Sequence, residues 1–217
     1  MSKLDVEYFS DVLCVWAFIN EYRLSEVEKQ LGDSLDIHLH FLPNFASVQP
    51  KIANGWKDKG GFSGYADHVI EVAEKFEIKL HDSVWRDVRP NSSIVPHSLI
   101  KAAEITHSAA GARKLSSLIR NAFFLEGQDI GQMDVCLEVA ESMGLDEEKL
   151  LDAIDDGQAM SALFEDFSRA KDYQISVSPA WVFNEGRQKL IGNVGYRVIE
   201  ANLKELIETK PLNQLWC

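Results

Sequence analysis

The chain has 217 residues, 46% of them hydrophobic, and sets 22 Lys and Arg against 34 Asp and Glu for a net charge of −12. That is enough apolar material for one large core, or a core with an inserted subdomain, and no Pro/Gly/Ser-rich linker divides it. The negative balance repels phosphate backbones and anionic membrane surfaces, which argues against nucleic acid or a membrane as partner.

Met1 to Glu7 enter a strand pattern at once with no apolar leader, and no uninterrupted apolar run reaches the length of a membrane span. A soluble, cytoplasmic protein is expected. Leu4, Val6 and Tyr8 alternate with Asp5, Glu7 and Phe9, the period of a strand. Phe18, Ile19, Tyr22, Val27 and Leu31 then recur at helical spacing, with a stop at Gly32-Asp33-Ser34, so a helix is expected from about Cys14 to Gln30. Ile37-His38-Leu39-His40-Phe41 alternates again and ends at Leu42-Pro43-Asn44, with both histidines on a polar sheet face. Strand, helix, strand in this order predicts a parallel βαβ unit. Ser47 to Gly64 has no clear period and reads as a long loop, a mobile cover. From Phe62 to Lys171 the pattern is helical almost throughout. Ala180 to Phe183 and Gln188 to Ile191 read as a hairpin around Asn184-Glu185-Gly186, and an amphipathic helix runs from Gly195 to about Glu208. The expected division is a βαβ part over 1–50, a helical insertion with its preceding loop over 51–172, and a hairpin with a terminal helix over 173–217.

Cys14 falls at the predicted start of the first helix, where unpaired amides and the helix dipole favour a thiolate. Its pKa is therefore expected below the ordinary value of about 8.5. The position three residues on, which would hold the second thiol of a C-x-x-C site, is Ala17. Asp11 opposes the thiolate by its charge, and its bland role is helix entry. Cys14, Cys136 and Cys217 are too few and too widely spaced for a disulfide framework. Cys136 shares a helical face with Val139, Ala140 and Met143, a core position. Cys217 reads as a thiol on a frayed terminus; the alternative is a resolving thiol for Cys14, reached more readily from a neighbouring subunit. The six histidines show no ligand spacing, so no metal site and no tightly bound cofactor are expected.

Three stretches carry a family resemblance: Tyr8 to Ala17, Val177 to Val182, and the helical segments Asn91 to Ile100 and Ala122 to Ile130. With the element order, they resemble the DsbA-like disulfide oxidoreductases over nearly the whole chain; the FrnE branch has Cys-Pro-Trp-Cys where this chain has Cys14-Val15-Trp16-Ala17. Kappa-class glutathione transferases and 2-hydroxychromene-2-carboxylate isomerases share that architecture. The resemblance implies an α/β, thioredoxin-like fold with a large helical insertion. It also implies a cis Pro179 facing Cys14, with the backbone of Ser178 free to pair with an extended thiol peptide and the Ser178 hydroxyl near the sulfur. Trp16 and Trp181 would form an aromatic wall to that cleft or simply pack. His97 lies where relatives often have a histidine, and an ordinary helix residue is the favoured reading. Kappa-class relatives hold glutathione with an acidic residue at the start of the last helix; Gly192 to Arg197 has none, leaving backbone amides and Arg197 for a carboxylate.

The expected function is a DsbA-like thiol–disulfide oxidoreductase with one active-site cysteine, working through a mixed disulfide with glutathione or another thiol as co-substrate. Its partner would be a thiol or disulfide small molecule or peptide, and self-association is left open. The alternatives are a glutathione-dependent transferase or isomerase and a non-catalytic family member that binds a peptide or partner.

Overall fold

Alternation in the first strand puts Val6 and Tyr8 on one face and Glu7 and Phe9 on the other, and in the computed structural model, which describes residues 3–208, all four are buried. This strand, β1 (Leu4–Ser10), is central. It pairs in parallel with β2 (Leu35–Phe41), Tyr8 opposite Leu39, and antiparallel with β3 (Ala180–Phe183), Tyr8 opposite Trp181. A hairpin joins β3 to β4 (Gln188–Ile191), and the sheet order is β2-β1-β3-β4. The hairpin turn holds Asn184, Glu185 and Gly186 at φ of 56°, 57° and 84°. Gly186 is required there because a Cβ would lie 2.6 Å from the Tyr173 ring.

Helix α1 (Val15–Leu31) links β1 to β2, one residue later at each end than the sequence suggests. Between β2 and β3 lie α2 (Gly61–Glu74), α3 (Ile94–Thr106), α4 (Ala109–Phe124), α5 (Met133–Ser142), α6 (Glu147–Asp155) and α7 (Gln158–Asp172). Helix α8 (Tyr196–Glu208) follows β4. The stretch before α2 is not the loose loop expected. Short helical turns at Pro50–Asn54 and Lys57–Lys59 bury Val48 and Ile52, and Trp56 packs edge-on to Tyr65 at 5.1 Å. Turns of five and three residues are too short to leave a period in the sequence.

One hydrophobic core runs from Val6, Tyr8 and Phe18 through Leu99, Leu115 and Phe123 to Ile199 and Leu203. On the other sheet face Phe9, Ala180 and Val182 meet Leu42, Ala170 and Ile175 in a smaller cluster beside α7. His38 and His40 share that second face, as their alternation requires, but His40 is not a solvated residue. Its Nδ1 lies 2.7 Å from Asp166 and its Nε2 2.5 Å from Glu7, while Arg169 forks onto the Glu7 carboxylate. Lys101 of α3 reaches Asp166 at 3.0 Å and donates to the Leu39 carbonyl at 3.0 Å. Burial works against the charge on Glu7, yet hydrogen bonds from His40 and Arg169 bring its pKa from 4.5 down to about 2. Burial also disfavours the His40 cation, but Asp166 and Glu7 outweigh it and raise the pKa above 6.5.

Candidate active site

Val12 and Leu13 turn the chain from β1 into α1, and Cys14 takes the N-cap with extended backbone, φ −85° and ψ 116°. Its amide donates to the Asp11 carbonyl at 3.1 Å, closing a tight turn, and its carbonyl accepts the first helical bond from Phe18 at 3.0 Å. The thiol faces the segment before β3. Its Sγ donates to the Ser178 carbonyl at 3.4 Å, and the Ser178–Pro179 peptide is cis. The Ser178 carbonyl is thus engaged by the thiol rather than open, as the resemblance implied. The Ser178 hydroxyl accepts the Asp11 amide at 3.0 Å, which leaves its own proton for the sulfur.

Cys14 is only 9% exposed, and this overturns the expected depression of its pKa. Burial is the largest influence and pushes the thiol up. The Ser178 hydroxyl and the amides of Ala17 and Trp16 pull the other way, and the Asp11 charge adds to the rise. The helix start works as the sequence suggests; desolvation outweighs it. A thiolate formed here would be held by one hydroxyl and two amides.

Asp11 is far more than a helix-entry residue. It is fully buried, and Oδ1 accepts the Leu13 amide at 2.9 Å while Oδ2 accepts the Phe45 amide and the Ser93 hydroxyl, each at 2.9 Å. Burial pushes its pKa up to about 6 against those hydrogen bonds and the Arg120 charge. His97 of α3 is not an ordinary helix residue either. Its Nε2 accepts the Val12 amide at 3.2 Å, its ring stacks on Phe41 at 4.1 Å, and burial holds its pKa well below 6.5, so it is neutral. Arg120, fully buried on α4, donates to the Ser10 hydroxyl at 2.7 Å and pairs with Glu21 at 3.1 Å. Tyr65 of α2 is buried with its ring 6.3 Å from Phe45, the residue whose amide Asp11 accepts, and burial is the main cause that raises its pKa.

Of the residues singled out from sequence, Cys14, Ser178 and Pro179 come together. Trp16 is half-buried at the helix start and packs edge-on to Phe76 at 6.2 Å. Trp181 lines no cleft. It is fully buried on the core face of β3, its ring 4.9 Å from Tyr8, because residues one and two after Pro179 point to opposite sheet faces. Cys136 is a core residue whose thiol donates to the Ile130 carbonyl at 3.1 Å, and burial pushes its pKa up to about 12. Cys217 lies outside the described residues. Register across β1 and β2 brings Asp5, Asp36 and His38 within 4.8 Å of one another, a grouping no sequence spacing reveals. The two carboxylates are exposed and His38 is half-buried, leaning on Asp5 at 3.7 Å and Asp36 at 3.9 Å. Among the described residues no helix is long and apolar enough to cross a membrane.

Comparison with known proteins agrees with this fold. The ClpXP adapter protein SpxH of Halalkalibacterium halodurans is 28% identical over 224 residues, covering 97% of this chain and 70% of that one. The fold matches a putative protein disulfide isomerase from Nitrosomonas europaea with a TM-score of 0.78, 14% identity, and coverage of 94% and 97% of the two chains. It also matches the cytosolic disulfide reductase DsbM from Pseudomonas aeruginosa with GSH, at a TM-score of 0.68 and 18% identity over 93% of this chain and all of that one. The model of the DSBA-like thioredoxin domain matches residues 5–204. With a thioredoxin-like sheet, a helical insertion between β2 and β3, and a cysteine at the first helix facing a cis-proline loop, the chain belongs to the DSBA-like thioredoxin domain family.

Proposed function

We propose that this protein is a monothiol thiol–disulfide exchange enzyme of the cytoplasm, acting on glutathione mixed disulfides. The observation that carries the reading is the Cys14 thiol seated 3.4 Å from the Ser178 carbonyl, beside a hydroxyl and two helix-start amides, with no second thiol at position 17. Cys14 thiolate attacks the glutathione sulfur of R–S–S–G, forming Cys14–S–S–G and releasing R–S⁻. A second glutathione thiolate then attacks the glutathione sulfur on Cys14, releasing glutathione disulfide and regenerating the thiolate. Because burial keeps the resting thiol protonated, exchange should accelerate as pH rises. The test is turnover of a glutathionylated peptide by the protein and by Cys14→Ser. Loss of turnover in the variant, together with a trapped glutathione adduct on Cys14, supports the reading; equal rates, or no adduct, overturn it. Ala17→Cys adds a second arm. Residues three apart on a first helical turn share a face, so the variant should form an internal disulfide under mild oxidation and gain dithiol activity.

A second reading has its own support. The raised pKa of Cys14 and the missing second thiol suit a site that binds rather than turns over, and SpxH carries the name of a ClpXP adapter. On this reading the chain presents a protein partner to a protease. Accelerated degradation of a partner by ClpXP, retained in Cys14→Ser, would select it.

A further inference from the structure

Four segments converge on one residue, three of them on its carboxylate. The Asp11 side chain accepts hydrogen bonds from the cysteine turn (Leu13), from the exit of β2 (Phe45) and from the start of α3 (Ser93), while its backbone amide donates to the Ser178 hydroxyl. Both oxygens are used and no part of the residue is exposed. Such a group has far more acceptor capacity than a helix entry needs, and its charge sits one turn from the sulfur. Asp11 does not hydrogen-bond the thiol itself. It fixes the frame that aims the thiol.

We infer that Asp11 is the positioning residue of this site: its carboxylate ties the cysteine turn to the exit of β2 and the start of α3, its amide ties that turn to the Ser178 hydroxyl, and its negative charge opposes ionisation of the thiol. This rests on Cys14 as the reacting thiol, but it concerns the thiol's chemistry, whichever substrate uses it. The other groups that face Asp11 are accounted for. His97 of α3 has Nε2 3.8 Å from Oδ1 and is neutral; Arg120 of α4 is a cation that eases ionisation of Asp11; Tyr65 of α2 is held protonated; Ser93 is uncharged. Cys14, whose amide closes the turn on the Asp11 carbonyl, is an acid whose ionisation the Asp11 charge opposes.

The rate of Cys14 alkylation by iodoacetamide, followed against pH in the whole protein and read by mass on the Cys14 peptide, tests this. In Asp11→Asn the midpoint should fall by about one pH unit, a gain of about tenfold in reactivity at neutral pH. Ser93→Ala removes one hydrogen bond and keeps the charge, so its midpoint should stay where it is. An Asp11→Asn midpoint that stays put or rises overturns the inference, and so does an equal shift in Ser93→Ala. Should Asp11→Asn not fold, the unsubstituted protein serves. Its Asp11 carboxyl, titrated by NMR, should have a higher midpoint when Cys14 carries a carboxymethyl group than when it carries the neutral carbamidomethyl group; equal midpoints overturn the inference. Glutathione exchange is read separately. If exchange is absent while the alkylation midpoint shifts, the proposed function fails and the role of Asp11 stands.

Discussion

Ser178 serves the site with two atoms. Its carbonyl takes the proton end of the Cys14 thiol, and its hydroxyl takes the Asp11 amide while keeping a proton for the sulfur. The residue therefore suits both protonation states of the thiol. The two tryptophans divide differently from the way their spacing suggests. Trp181 lies wholly inside the core against Tyr8, so Trp181→Ala should cost about 3–5 kcal/mol in urea unfolding. Trp16 packs partly exposed on Phe76, and Trp16→Ala should cost clearly less while altering exchange at the neighbouring thiol. If the two variants are equally destabilised, Trp16 belongs to the core instead.

At the scale of elements, the second sheet face holds α7 and α3 by charge as much as by apolar packing. Glu7 of β1 pairs with His40 of β2 and Arg169 of α7, and Asp166 bridges His40 to Lys101 of α3. Glu7 has its pKa lowered from 4.5 to about 2, so its contribution is complete above about 4.5 and is lost as pH falls toward 2. His40 has its pKa raised above 6.5, so its contribution is complete below 6.5 and is lost as pH rises through the raised value. Glu7→Gln should therefore be most destabilising between these limits, by about 2–3 kcal/mol, less than a fully buried pair because Arg169 is half-exposed. Denaturant unfolding as a function of pH checks it: the gap between the two proteins should close on acidification. The segment before α2 depends on close backbone approach instead. A Cβ on Gly64 would stand 1.7 Å from the Lys59 carbonyl oxygen. Gly64→Ala should push the Lys57–Lys59 turn away from α2, loosen the packing of Trp56 on Tyr65, and speed alkylation of Cys14 at fixed pH by about tenfold. An unchanged rate would mean that this segment does not cover the thiol.

At the scale of the molecule, the site exists only because the two ends of the sheet-forming sequence meet. Asp11 and Ser178 are 167 residues apart, and β1 is flanked by β2 from its own half and β3 from the other. The core that joins them is continuous from the sheet into the inserted helices. Loss of secondary structure by circular dichroism and of tryptophan burial by fluorescence should thus coincide in one transition; two separated midpoints would show the insertion unfolding independently.

Local periodicity was enough for the strands, α1, the hairpin and α8, because burying one face imposes a repeat of two or 3.6 on neighbouring residues. It was also enough to place Cys14 at a helix start, since a strand pattern ends and a helical one begins around it. The short turns before α2 were not legible, having no length in which to repeat. Nor was the state of the thiol, because desolvation depends on what covers Cys14, and Ser178, against which it lies, comes from a distant segment. Asp11, His97 and Arg120 likewise look like ordinary polar residues in a row of letters. The sequence by itself determined the order of elements and which residues carry sulfur and charge. Only the tertiary structure decided that Trp181 is core, that His40 is enclosed between two carboxylates that raise its pKa, and that the pull of the helix start on Cys14 is outweighed, because burial and the field of distant charges arise when the chain has closed on itself.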